Sequence, residues 1–270
     1  MSQADAQAEI ASPATGAPRP QDVPIVQEPA RLGPIQRLIG TLFSPGETFE
    51  DVNRKPTWMV PALISVVSSI AFMWFLLFHF ETGWREFMKK AMASRSGAAA
   101  PTGQDLEMAF MITKWSYLIF AGVGVVIFIL ATAGIFALGM MLLQAKTTFK
   151  KVLAVVTWCW AATGLLQVIV TIASVLVRGG DTSSFNPQEM GSLSAANLGA
   201  FLPDGTSAFV KGLASTIDVF SIWFLILLTI GLAAVAGSRK IKSSSVAPLV
   251  LGLWIVSALI RAGLAAAFGG

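Results

Sequence analysis

The sequence predicts an all-α membrane protein: five transmembrane helices in one bundle, a cytoplasmic N-terminus, and amphipathic interfacial helices leading into the first span. Four observations predict it. Charged residues make up 13% of the chain and hydrophobic ones 54%, whereas an ordinary soluble domain carries about 25% charge. Mean hydropathy is +0.69. Five apolar runs approach or exceed the ~20 helical residues that a ~30 Å bilayer core requires. Lys and Arg are also shared unevenly between the two sets of connections, eleven against five.

Residues 1–30 are rich in Ala, Gln and Pro and carry one basic residue, Arg19. They lack a basic start followed by an apolar core, so they do not read as a secretory signal. Their composition predicts a disordered tail. Residues 31–56 predict two short cytoplasmic helices. In the first, Leu32, Ile35, Leu38, Ile39, Leu42 and Phe43 recur every three or four residues, with Arg31 and Arg37 on the polar side. That is the pattern of a helix lying in the membrane interface. The second starts in FSPGETFEDVNRKPTWMVP, Phe43 to Pro61. Ser44 suits the cap, Pro45 the first helical position, and Glu47 follows the cap by three residues. Phe49 and Val52 face the membrane or the bundle. Arg54 and Lys55 sit at the headgroup level, and Pro56 stops the helix. The segment reads as a surface anchor or as a docking surface for a cytoplasmic partner.

Residues 57–268 form the transmembrane domain, with spans at about 58–80, 115–143, 152–177, 209–236 and 246–268. The second and third contain no charge. The second is long enough to tilt or to project from the bilayer. Eleven Lys and Arg precede the first span or lie in the second-to-third and fourth-to-fifth connections, and this face is therefore cytoplasmic. Of the two opposite loops, the first is basic and holds an amphipathic stretch, Trp84 to Arg95. The second has no Lys or Arg from Gly179 to Ala208. Asn186, Pro187, Gln188 and Glu189 there read as a helix start.

Charged side chains inside spans are costly and are candidates for function. Asp218 lies in the fourth span and Arg261 in the fifth, about 14 Å and 11 Å below the outer surface at ~1.5 Å per residue. The short connection makes these helices neighbours, so a contact between Asp218 and Arg261 is expected. Its first reading is an ion pair that orients two helices, and its second a proton or ion relay through Asp218. Lys211 is expected to snorkel outward, and Gln167 to bond across helices. His79 reads as an interfacial residue and Cys159 as a buried thiol. Trp58, Trp74, Trp84 and Trp115 read as aromatic belts. Ala133 and Ala137 offer a close-packing face. One cysteine and one histidine exclude a disulfide framework and any site built on several of either. No phosphate loop, zinc-protease motif or nucleophile elbow occurs. No enzyme, cofactor, metal or nucleic-acid partner is therefore expected.

The stretch FSPGETFEDVNRKPTWMVP also resembles the segment leading into the first span of bacterial members of the Yip family, named for proteins that interact with Ypt/Rab GTPases. TTFKKVLAVVTWCWAATGLL, from Thr147, is similar to the family's short basic loop and third span. DVFSIWFLILLTIGLAAVAGSRK resembles its fourth span, through Asp218, Phe220, Trp223 and Gly231. Where relatives commonly carry a proline early in the third span, this chain has Ala161, Ala162, Thr163 and Gly164. The resemblance runs from about Ile35 to Ala265. It implies five spans, a cytoplasmic N-terminus, and a non-enzymatic role in organising membrane or recruiting partners at the cytoplasmic face of a bacterial inner membrane. Partners are then the bilayer and, in one reading, another membrane or cytoplasmic protein. A small transporter or channel using Asp218 is the alternative.

Overall fold

The computed structural model describes residues 31–96, 102–179, 193, 197–203, 205–238 and 240–268. The expected tail and the helix start at Asn186 to Glu189 lie outside these residues. Among the described residues the fold is helical, with no sheet. Two short helices, α1 (Pro34–Phe43) and α2 (Pro45–Arg54), precede α3 (Met59–His79), and α4 (Glu81–Ser96) follows it. Then come α5 (Gly103–Leu142), α6 (Phe149–Arg178), α7 (Ala208–Ala214), α8 (Val219–Ala234) and α9 (Ser243–Phe268).

Four of these, α3, α5, α6 and α9, are long and apolar enough to cross a membrane. They carry four of the five apolar runs. The fifth run, residues 209–236, is not one helix. Seven residues form α7, the chain turns through Ser215 to Ile217, and the 16-residue α8 begins after Asp218. At ~1.5 Å per residue α8 is about 24 Å long, short of a ~30 Å core by itself. The 40-residue α5 is about 60 Å long and projects well beyond it.

Helix α6 is the hub, packed against α3, α5, α8, α1 and α2. Its first half, Val152 to Ala162, is buried almost throughout, while Leu166, Ile169, Leu176 and Val177 further along face outward. It is unbroken past Ala161–Gly164, where no proline interrupts it. Gln167, expected to bond across helices, is exposed on it. A large core joins α2, α5, α6, α8 and α9. A second forms at the far end of α3, where Trp84 and Met88 of α4 pack with Leu76, Leu77, Phe110 and Leu118. Trp84 is therefore a core residue, edge-on to Tyr117 at 4.9 Å, and not part of a belt. His79 stacks on Phe75 at 5.1 Å between ring centroids.

Close approaches at two glycines locate one end of the bundle. At Gly231 a side chain would meet the Phe49 ring, with Cε1 3.1 Å from a Cβ. At Gly237, with φ +66°, a Cβ would collide with the Lys146 carbonyl oxygen. The α8–α9 turn thus lies against the α5–α6 turn, at one end of the bundle.

Candidate functional site

The helices α1 and α2 fold into that same end of the bundle. Pro45 starts α2 where its missing N–H costs nothing. Ser44 stands at the cap position, but its hydroxyl makes no capping bond. Its N–H instead closes α1 on the Gly40 carbonyl at 2.7 Å, and its carbonyl accepts from Thr48. The residue is a joint between two helices more than a cap. Glu47 and Arg54 are exposed at the two ends of α2, matching the helix dipole in sign. Phe49 and Val52 are fully buried, and Phe49 reaches between α6 and α8 beside Gly231. Of the two faces open to them, they take the bundle.

Arg37 departs from its expected polar, outward position. It is buried, and its side chain and that of Asp51 are 3% and 4% exposed. Its Nε donates to Asp51 Oδ2 at 2.9 Å, and Nη2 lies 2.8 Å from the same oxygen. Nη1 donates to the Lys55 carbonyl at 3.0 Å and to Thr57 Oγ1 at 2.6 Å. The backbone N–H of Arg31 donates to Asp51 Oδ1 at 2.7 Å. Two prolines explain the arrangement: Pro56 stops α2 and leaves the Lys55 carbonyl without a helical partner, and Pro61 has no N–H to offer the Thr57 carbonyl four residues before it. Arg37 takes the first, and Trp158 Nε1 of α6 donates to the second at 3.0 Å. Burial pushes the Asp51 carboxyl up, but the Arg31 N–H and the Arg37 guanidinium outweigh it and hold it below its ordinary value. The cluster pins α1, α2 and the start of α3 to α6. Its sequence signal was a matched polar strip, Arg37 and Thr41 on one helix and Thr48 and Asp51 on the next, all four buried.

With Arg37 turned inward, α1 presents two apolar faces. Leu38 and Leu42 pack on the core. Ile35, Ile39 and Phe43, spaced four apart, are exposed along the other side.

Asp218 and Arg261 are not joined among the described residues. Asp218 caps α8: Oδ1 accepts from the Ser221 N–H at 2.8 Å and Oδ2 from the Ser221 hydroxyl at 2.5 Å. The Leu198 N–H donates to the Ile217 carbonyl at 3.1 Å, bringing the second long loop against this break. Arg261 is exposed on α9, where its backbone lies near Gly212 of α7. The expected ion pair gives way to a helix cap because a cap satisfies the carboxylate within one turn. Of the residues that resembled the family's fourth span, Phe220 is half-buried, Trp223 points outward and Gly231 lies in the core.

A family model for the Yip1 domain matches residues 39–261, most of the chain. The chain belongs to the Yip1 domain family. It is also 27% identical over 225 residues to the membrane protein YknW of Bacillus subtilis strain 168, an alignment covering 82% of this chain and 88% of that one. No solved structure matches. With its apolar helices, the Yip1 domain makes this a multi-pass membrane protein that sits in a lipid bilayer.

Proposed function

We propose that this Yip1-domain protein crosses a bacterial inner membrane five times with its N-terminus in the cytoplasm, and organises membrane or recruits a partner there through α1. The contact between Gly237 and Lys146 supports the fifth crossing. α6 leaves the α5–α6 turn and ends at the other side of the bundle, while α9 starts beside that turn. The chain between them must return, and α7 with α8 provides the path. The distribution of Lys and Arg supports the orientation.

The observation that carries the role is the outward stripe of Ile35, Ile39 and Phe43 on a helix that Arg37 holds rigidly to the bundle. A surface of that kind is ready for headgroups or for a protein groove. A photocrosslinking side chain at position 39 or 43, activated in cells, tests it. Adducts with lipid support membrane organisation, and a discrete protein adduct supports recruitment. Absence of both, in protein that is correctly inserted, overturns the reading. The transporter alternative draws no support from Asp218, whose two carboxylate oxygens are engaged by Ser221.

A further inference from the structure

A groove of about 710 Å³ runs between α3 and α5. Val66, Ile70 and Trp74 line it on one side, and Trp115, Ile119 and Ile127 on the other. Every lining residue is apolar. Gly122 lies among them, and a Cβ there would stand 3.1 Å from Ile70 Cδ1, so the absent side chain lets the two helices close at this level.

Its length and its ends are informative. From Trp115 to Ile127, α5 advances about 18 Å at ~1.5 Å per residue. One leaflet of a ~30 Å hydrocarbon core is about 15 Å deep. The groove therefore begins near one interface and ends near mid-membrane. At the interfacial end Lys114 holds its ammonium 4.8 Å from the centroid of the Trp74 ring. Among the described residues no carboxylate pairs with it. Arg85, one helix away, is by contrast occupied by Glu81 and Glu107. A cation flanked by Trp74 and Trp115 is the arrangement that suits a headgroup, above a wall that suits hydrocarbon.

We propose that this groove is a site for one anionic phospholipid, with an acyl chain between α3 and α5 and its phosphate at Lys114, in the leaflet on the α4 side. A transmembrane helix of a second copy fits less well, because the groove serves one leaflet and offers no polar or small-residue seam across both.

Native mass spectrometry of the full chain in detergent tests this, with phosphatidylglycerol and phosphatidylcholine of the same acyl chains as probes. The wild type should retain phosphatidylglycerol at several-fold lower concentration than phosphatidylcholine and melt at a higher temperature with it. Lys114→Glu should abolish the preference. Val123→Trp, which fills the groove from an exposed position, should lower retention of both lipids. Equal retention of the two lipids by the wild type, or a preference unchanged in Lys114→Glu, overturns the proposal. So does a lipid-independent dimer that Val123→Trp dissociates. If Val123→Trp fails to fold, the Lys114→Glu comparison still decides.

Discussion

Two arginines at opposite ends of α3 each hold carboxylates, in opposite surroundings. Arg37 and Asp51 are enclosed among α1, α2 and α6, with nearly every polar atom of the pair supplied with a partner. Arg85 bridges Glu81 and Glu107 between α4 and the projecting start of α5, with side-chain exposures of 28%, 45% and 65%. The contacts look alike, but their consequences differ. Removing one member of a buried pair strands a charge in a place water cannot reach, whereas an exposed group simply rehydrates.

The largest expected effect is therefore at the buried pair. Asp51→Ala should destabilise the protein in detergent by about 3–5 kcal/mol, since it leaves the Arg37 guanidinium uncompensated. The double variant Arg37→Met, Asp51→Leu should recover much of that loss, because well-packed apolar residues often replace a buried pair at little cost. A double variant as unstable as the single would show that the hydrogen bonds to Lys55 and Thr57, not the charges, hold the helices. Acid should act on the same carboxylate. Its folded value is depressed, so its contribution is present above the ordinary carboxyl range near ~3.9 and is lost as pH falls through the lower folded value. The wild type should lose stability below about pH 4 more steeply than Asp51→Asn.

The intermediate effect is at the break before α8. If Asp218 acts as a cap, Asp218→Asn should be close to neutral, since Asn and Asp cap about equally well, while Asp218→Ala should cost roughly 1 kcal/mol. If the charge itself matters, through Arg261 or a relay, Asn should be as damaging as Ala. Melting temperatures of the two variants separate these outcomes, and ion flux in reconstituted vesicles checks the relay directly.

The two ends also differ in how far they could be read from sequence. Hydropathy marked α3, α5, α6 and α9 because lipid imposes the same apolar demand on every residue of a span. It passed over the break at Asp218, since Ile217 and Val219 keep the local average high. The cap signature of Asp218 with Ser221 three residues on was present in the sequence, but it was subordinate to the apolar run around it. At α1 the periodicity was real but incomplete. A helix pressed against a bundle at the interface can be apolar on two faces, and the polar side that carries Arg37 then turns inward to Asp51. Only the position of α2, with Phe49 against Gly231, decides which side is inside. Similarly, Trp84 reads as a belt residue because it follows a span end, yet the first half of α5 runs beside α4 and buries it against Phe110, Tyr117 and Leu118.

The smallest effect should be at Arg85. Its guanidinium proton is held more tightly by Glu107 foremost, against some loss from burial and with further help from Glu81. Each partner is nevertheless open to water, and exposed pairs contribute about 0–1 kcal/mol. Glu107→Gln should thus change stability by less than about 1 kcal/mol, and the difference should shrink further as salt is raised from low to physiological strength. Arg85→Ala should cost more than Glu107→Gln, because the guanidinium also lies 4.3 Å from the centroid of the Phe110 ring and covers part of the second core. The two melting temperatures, each taken at low and high salt, separate charge from cover: the Glu107 effect should fade with salt and the Arg85 effect should fade only in part, leaving the loss of cover over Phe110. If both fade equally, the outer cluster is held by electrostatics alone, and its contrast with the buried pair is one of degree.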